Sequence, residues 1–209
     1  MRTVVILPVK RFGRAKQRLT GGFPDRAGLA AAMVADVLDA LHAVPELDAV
    51  IVVTAQAVSA RTDVRIVHDP VEAGQSAAAS LGIAEAVAGG AERVLLVPGD
   101  CPALDPAEVS ALLGLDGDVV IVPDRHGSGT NSLVLTPPDV IAPAFGAGSF
   151  ERHRALTAAA GASFVVGEAP SLELDVDTPD DLAALRRALR ALPSRAVRTR
   201  ALLEDAAVA

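Results

Sequence analysis

Two stretches of this chain carry carboxylates where a reaction would need them. In RVLLVPGDCPALD (residues 93–105), four apolar residues run straight into Pro98-Gly99-Asp100. Pro and Gly stop the strand in a tight turn and Pro102 fixes its exit, so stiff backbone holds Asp100 at a strand's carboxyl end. An aspartate so placed could equally cap its own turn or the helix that follows. In LELDVDTPDDL (172–182), Asp175 and Asp177 stand two apart at what reads as a strand end and so share a face. Two carboxylates that close are not both comfortably ionised without a cation between them. An oxygen-only donor set favours Mg²⁺ or Mn²⁺ for that cation. The residues that follow suit a helix start: Thr178 as N-cap, Pro179 at the first helical position, Asp180 and Asp181 in the first turn. Asp177 could also serve as the cap.

Three further segments suit anions. LPVKRFGRAKQRL (7–19) places Lys10, Arg11, Arg14, Lys16 and Arg18 on a Gly-containing loop, which offers a polyphosphate both charge and N–H donors. It lacks the Walker A spacing, and no G-x-G-x-x-G occurs in the chain. DPVEAGQSAAASLG (69–82) opens a helix with Gly74-Gln75-Ser76, whose N–H groups and short side chains fit an anion or a nucleobase edge, or simply start a helix. HGSGTNSLVL (126–135) and FGAGSFERHR (145–154) are Gly/Ser/Thr-rich loops that could cradle a small phosphate, with Gly148-Ser149 opening a helix whose dipole would assist. The alternative for both is ordinary turn chemistry. His153 and Arg154 read as surface groups on that helix, and His42, His68 and His126 show no partner spacing. Cys101, the sole cysteine, reads as a small buried filler.

These residues need a scaffold, and the composition supplies one. Of 209 residues, 51% are apolar but only 2% aromatic, with no Trp or Tyr, so the core must be Val, Leu, Ile and Ala. Aromatic stacking platforms for single-stranded nucleic acid are thereby nearly excluded. One cysteine forms no internal disulfide, and no apolar run reaches the ~20 residues that span a bilayer. A soluble protein of the reducing cytoplasm is expected. The net charge is −7, yet residues 1–18 hold six of the 19 basic residues and no acidic one. An acidic chain with one compact basic segment points to a local anion site rather than to nucleic acid or a membrane surface.

Strands and helices alternate along the chain. Buried strands are expected at 3–9, 49–54, 64–69, 93–97 and 118–124, with further strands at 132–137, 163–168 and 172–176. Helices are expected at 25–44, 74–90, from 105–106, 149–161 and 178–192. No internal repeat or linker divides residues 1–192, which read as one domain, and residues 193–209 read as a loose tail. The alternation implies a three-layer α/β/α architecture with a mostly parallel sheet. Ligands of such sheets sit beyond the strands' carboxyl ends, which puts the loops after residues 9, 54, 69, 98 and 123 on one rim.

Taken in order, LPVKRFGRAKQRL, GQSAAASLG, LLVPGDCPAL, GTNSLVL, FGAGSFERH and ELDVDTPDDL resemble a known set over residues 1 to about 190. The set is that of the phosphoenolpyruvate or 2-phospho-L-lactate guanylyltransferases of deazaflavin coenzyme biosynthesis, relatives of the molybdenum-cofactor guanylyltransferases. The resemblance implies a glycosyltransferase-A-like nucleotidyltransferase fold and transfer of GMP from GTP to the acceptor's phosphate with release of pyrophosphate. It implies Mg²⁺ held by Asp100, Asp175 and Asp177, with Lys16 beside them in the catalytic group. Lys10, Lys16 and Arg18 would engage the triphosphate, and Gly74, Gln75 and Ser76 would approach the base. Thr130, Gly146 and Ser149 would hold the phosphorylated three-carbon acid. Heavy Ala and Arg usage suggests a GC-rich bacterial genome and hence phosphoenolpyruvate as acceptor. The expected partners are these small molecules alone, for a monomer or homodimer. Another acceptor, such as molybdopterin or a sugar phosphate, stays open, as does a non-catalytic nucleotide-binding module. Three rim carboxylates speak against the last, and guanine over adenine rests on the resemblance alone.

Overall fold

The computed structural model describes residues 1–14, 16, 19, 23–56 and 64–208. The apolar β-branched run at the start forms β1 (Thr3–Val9), which pairs in parallel with β2 (Ala49–Thr54) on one side and β4 (Arg93–Leu96) on the other. Ile6 of β1 thus lies between Ile51 and Leu96, and every strand of this trio is buried on both faces. With β3 (Val64–His68), β5 (Val119–Pro123), β6 (Thr130–Leu135) and β7 (Phe164–Val166), they build a seven-stranded sheet in the order β3-β2-β1-β4-β6-β5-β7. Only β6 runs antiparallel to its neighbours. Its first residues therefore start on the rim where the other strands end.

The period-2 alternation of the strands sends side chains to two cores. Val5, Leu7, Val50, Val52, Leu95, Val120 and Val122 meet α1 (Arg26–His42), α3 (Pro106–Leu113) and the short α5 (Pro170–Glu173). Val4, Ile6, Ile51, Val53, Leu96, Ile121 and Leu133 meet α2 (Gln75–Ala88) and the aromatic residues on and before α4 (Ser149–Ala159). The three-layer α/β/α arrangement is thus as the alternation predicts. A third cluster joins the outer side of α1, through Leu29 and Met33, to α6 (Pro179–Arg190) and α7 (Val197–Val208).

Three expectations are corrected. LELDV is not a strand: Pro170 starts a helical turn that ends at Glu173, and Leu174–Val176 run outside the sheet. The segment 64–69 forms a strand, but an edge one, with Arg65, Ile66 and His68 exposed rather than buried. Residues after Pro193 are not a loose tail. Val197–Val208 form α7, whose Thr199 and Leu203 are buried against α1 and α6. Its Ala- and Arg-rich pattern carries little amphipathic signal, so the face it buries is set by its partners. No helix among the described residues is long and apolar enough to cross a membrane.

Candidate active site

The sheet's carboxyl rim opens into a cleft of about 480 Å³. Its walls come from the end of β1 (Pro8, Val9, Lys10), α1 (Met33, Val34), the loop after β3 (Asp69, Glu72), the start of α2 (Gly74, Gln75) and the turn after β4. That turn begins where Val97 N–H donates to the Ile6 carbonyl (3.0 Å) and Pro98 ends the ladder. Gly99 suits this close packing, since a Cβ there would stand 3.0 Å from the Val34 side chain, a tight contact. Asp100 follows and lines the cleft.

The segment carrying the other two aspartates reaches the same place without a strand. Val176 N–H donates to the Asp100 carbonyl (3.2 Å), and Cys101 Sγ–H to the Leu172 carbonyl (3.5 Å). Asn131, second residue of β6, completes the seam by donating its amide to the Leu172 carbonyl (2.8 Å) and to Asp175 Oδ1 (3.2 Å). Asp177 precedes a capping box. Thr178 Oγ1 accepts from Asp181 N–H while Asp181 Oδ2 accepts from the N–H groups of Thr178 (2.7 Å) and Asp177 (3.0 Å). Asp181 thus serves the helix start as its position predicts. An ion pair with Arg125 ties this helix start to the loop before β6.

Lys16 joins the pieces. Its ammonium donates to Asp100 Oδ2 (2.5 Å) and Asp177 Oδ1 (3.1 Å), with its side chain only 6% exposed. Burial disfavours its charge, but the two carboxylates outweigh that and hold its pKa above the ordinary lysine value. Asp175 titrates above the usual carboxylate range, first because it is desolvated and then because Asp100 and Asp177 repel its charge, against the opposing bond from Asn131. Burial likewise pushes the Cys101 thiol well up, helped by the same aspartates, so it has no nucleophilic character. Among the described residues, no three carboxylate, histidine or cysteine groups are gathered closely enough to surround an ion as they stand. The ammonium lies between two of the carboxylates instead.

The predicted residues therefore fall into two groups. Lys10, Lys16, Gly74, Gln75, Asp100 and Asp177 line the cleft together, whereas Asp175 does not line it and is bonded by Asn131. Arg18 lies outside the described residues. Arg11, which the basic loop offered to a polyphosphate, is engaged by Glu72 through its Nε (3.0 Å) and its backbone N–H (3.2 Å).

Ser76 faces the second group, its Oγ accepting from Phe145 N–H (2.9 Å). Thr130 bonds His153 there, and the Gly146 carbonyl accepts from Ser149 N–H (3.0 Å) at the start of the same helix. That histidine is fully buried rather than a surface group. Its Nε2 accepts from Ala144 N–H (2.8 Å), which leaves Nδ1–H to donate to Thr130 Oγ1 (3.0 Å). Burial, with Arg152 adding to it, lowers its pKa to about 4, so it is neutral. Arg152 closes the loop by bonding the carbonyls of Ala144, Phe145 and Ala147. Ser149 Oγ is buried without a partner among the described residues.

Sequence reasoning missed Asp69, Glu72, Asn131 and His153. Asp69 was within its reach, because it directly follows a strand whose end lies on the rim. His153 was not, since its helix has no clear apolar face.

This geometry can be set against known proteins. The family described as Guanylyl transferase CofC like matches residues 3–186. The chain belongs to that family. A phosphoenolpyruvate guanylyltransferase of Conexibacter woesei is 49% identical, the match covering 98% of this chain and 96% of that protein. Another of that name, from Sphaerobacter thermophilus, is 37% identical over 88% of this chain and 93% of its own. Among solved structures, a Desulfovibrio desulfuricans G20 protein assigned to the nucleotide-diphospho-sugar transferases superposes with a TM-score of 0.76 at 19% identity, over 98% of this chain and 95% of that one. The expected nucleotidyltransferase fold is thereby borne out. The family match ends at 186, within α6, so α7 lies beyond the part that marks this chain as a CofC-like guanylyl transferase.

Proposed function

We propose that this protein transfers GMP from GTP to the phosphate of phosphoenolpyruvate and releases pyrophosphate, a step of deazaflavin coenzyme biosynthesis. The observation that carries the reading is the cleft itself. A buried cation, Lys16, sits between Asp100 and Asp177 at one end, and an uncapped helix start, Gly74, stands at the other. Gly74 holds φ 116°, which favours glycine, and presents no side chain to a ligand approaching the α2 N–H groups.

In the reaction, an oxygen of the acceptor phosphate attacks the α-phosphorus of GTP in line. The bond from that phosphorus to the bridging oxygen breaks, and the electron pair leaves with pyrophosphate. Two anions must meet, so positioning and charge neutralisation are the catalytic requirement, and no protein nucleophile is needed. Lys16 and Lys10, with Arg18, serve the triphosphate. Thr130, Gly146 and Ser149 hold the acceptor, where the unpartnered Ser149 hydroxyl at the start of α4 is a donor in waiting. Neutral His153 holds Thr130 and the Ala144 amide in place.

Asp100, Asp177 and Asp175 are an oxygen-only donor set of the kind that suits a divalent cation, and they would have to draw together around it, since as they stand they do not enclose an ion and Lys16 lies between two of them. Mg²⁺ bound there would neutralise phosphate charge and polarise the phosphoryl oxygens.

The test is pyrophosphate release with GTP, Mg²⁺ and either phosphoenolpyruvate or 2-phospho-L-lactate, with the product's mass measured. A guanylylated phosphoenolpyruvate is expected. Release with neither acceptor would overturn the proposal.

A further inference from the structure

We propose that Asp69 reads the guanine base, and that it does so together with the open start of α2. The inference rests on the cleft being the GTP site. Asp69 is 6% exposed, yet it lines the cleft. Its backbone is fixed by a bond from its N–H to the Thr54 carbonyl (3.0 Å), which continues the β2–β3 ladder past the strand end. Its Oδ1 accepts from Glu72 N–H (3.1 Å), and among the described residues it forms no ion pair. Glu72 sits at φ 50° in the same turn, and its carboxylate is held by Arg11. The turn is thus clamped from two sides, and the carboxylate keeps acceptor sites beyond the one that Glu72 uses.

Beside it lies a set of donors. The first intrahelical bond of α2 is Ala78 N–H to Gly74 O (3.0 Å), so the N–H groups of Gln75, Ser76 and Ala77 have no helical acceptor, and no side chain caps them.

A carboxylate next to unspent N–H groups matches the hydrogen-bonding edge of guanine, where N1–H and the 2-amino group donate and O6 accepts. Adenine offers an acceptor at N1 and nothing at C2. It would therefore set a lone pair against the carboxylate and leave buried polar groups unpaired, which is the kind of mismatch that discriminates strongly. Simple burial of an aspartate would not select among bases.

The test measures kcat/KM for GTP, ITP, XTP and ATP with phosphoenolpyruvate and Mg²⁺, for the full chain and for Asp69→Asn. The wild type is expected to use GTP at least ~10-fold better than ITP, which lacks the 2-amino donor, and at least ~100-fold better than ATP. In Asp69→Asn the side chain gains a donor that suits the 2-oxo group of xanthine, so XTP use should rise and GTP use fall until XTP is preferred. A wild type that does not distinguish GTP from ITP overturns the assignment even should the variant fail to fold. An unchanged GTP:XTP ratio in a folded variant overturns it as well, while leaving the transferase reading intact. Absence of transfer with all four nucleotides in the wild type overturns both.

Discussion

Lys16 bonds both Asp100 and Asp177, and breaking this double engagement is expected to have a measurable cost. Lys16→Met leaves two carboxylates facing each other with no cation. In metal-free buffer it is expected to lower stability by about 1–2 kcal/mol, the range for a partly exposed charged hydrogen bond. Added Mg²⁺ should return part of that loss in the variant and little in the wild type, which thermal unfolding with and without the metal would read. Turnover should fall at least ~100-fold, as for loss of a group that stabilises developing charge. An unchanged unfolding temperature would reject the bridging role.

His153 gives a second handle. In the unfolded chain it takes up a proton below about pH 6.5, but in the folded chain only near about 4. Its contribution is therefore whole above about 6.5 and drains away as pH falls toward 4, by about 2 kcal/mol at pH 5 and about 3 kcal/mol in full. His153→Gln should be less stable at pH 7, and its deficit should shrink by about 2 kcal/mol in urea melts at pH 5. A deficit constant with pH would mean that burial of the neutral ring does not operate. At this scale the acidic residues and Lys16 were legible because strand ends, turns and charge mark them. His153 and Asn131 were not, because their roles come from contacts between residues distant in the sequence.

Among the elements, α7 shows how a segment without a sequence signal is held. Asp36, buried on α1, accepts from the backbone N–H groups of Arg198 (3.1 Å) and Thr199 (2.8 Å) and so caps the start of α7 from another helix. Arg198 pairs with the exposed Asp39 a turn further along. Asp36→Ala should cost about 1–3 kcal/mol, since two N–H groups lose a charged acceptor, whereas Asp39→Ala should stay within about 0.5 kcal/mol. Urea titration of both variants checks this, and equal effects would rule out the capping account. Strands β1, β2, β4 and β5 were legible because burial on both faces leaves continuous apolar runs. The stretch 172–176 deceived because Leu-x-Leu-x-Val alternation mimics a strand, while Pro170 and the seam to Asp100 and Asn131 bend it into a bridge. A tail cap contributed by residue 36 has no local trace at all.

At the scale of the molecule, the alternation of strands and helices puts five loops on one rim, and all five bear on the cleft or on α6. The reason is geometric: parallel strands end together, so residues as far apart as Lys16, Asp69 and Asp100 converge without local contacts, and the bond from Val176 to the Asp100 carbonyl brings Asp177 to them. A ligand in that cleft touches β1, α1, α2 and both rim turns at once, and unfolding must release it. Binding to the folded form alone stabilises by about 2.7 kcal/mol at a hundred times Kd. In a chain of this size each kcal/mol moves the midpoint by roughly 2–4 °C. GTP with Mg²⁺ at that excess should therefore raise the unfolding temperature by about 5–10 °C, with ATP at the same concentration giving little. Asp100→Ala should keep the fold, since its backbone carbonyl still receives Val176, yet lose most of that shift along with turnover. A GTP shift that survives in Asp100→Ala undiminished would place the triphosphate elsewhere on the rim.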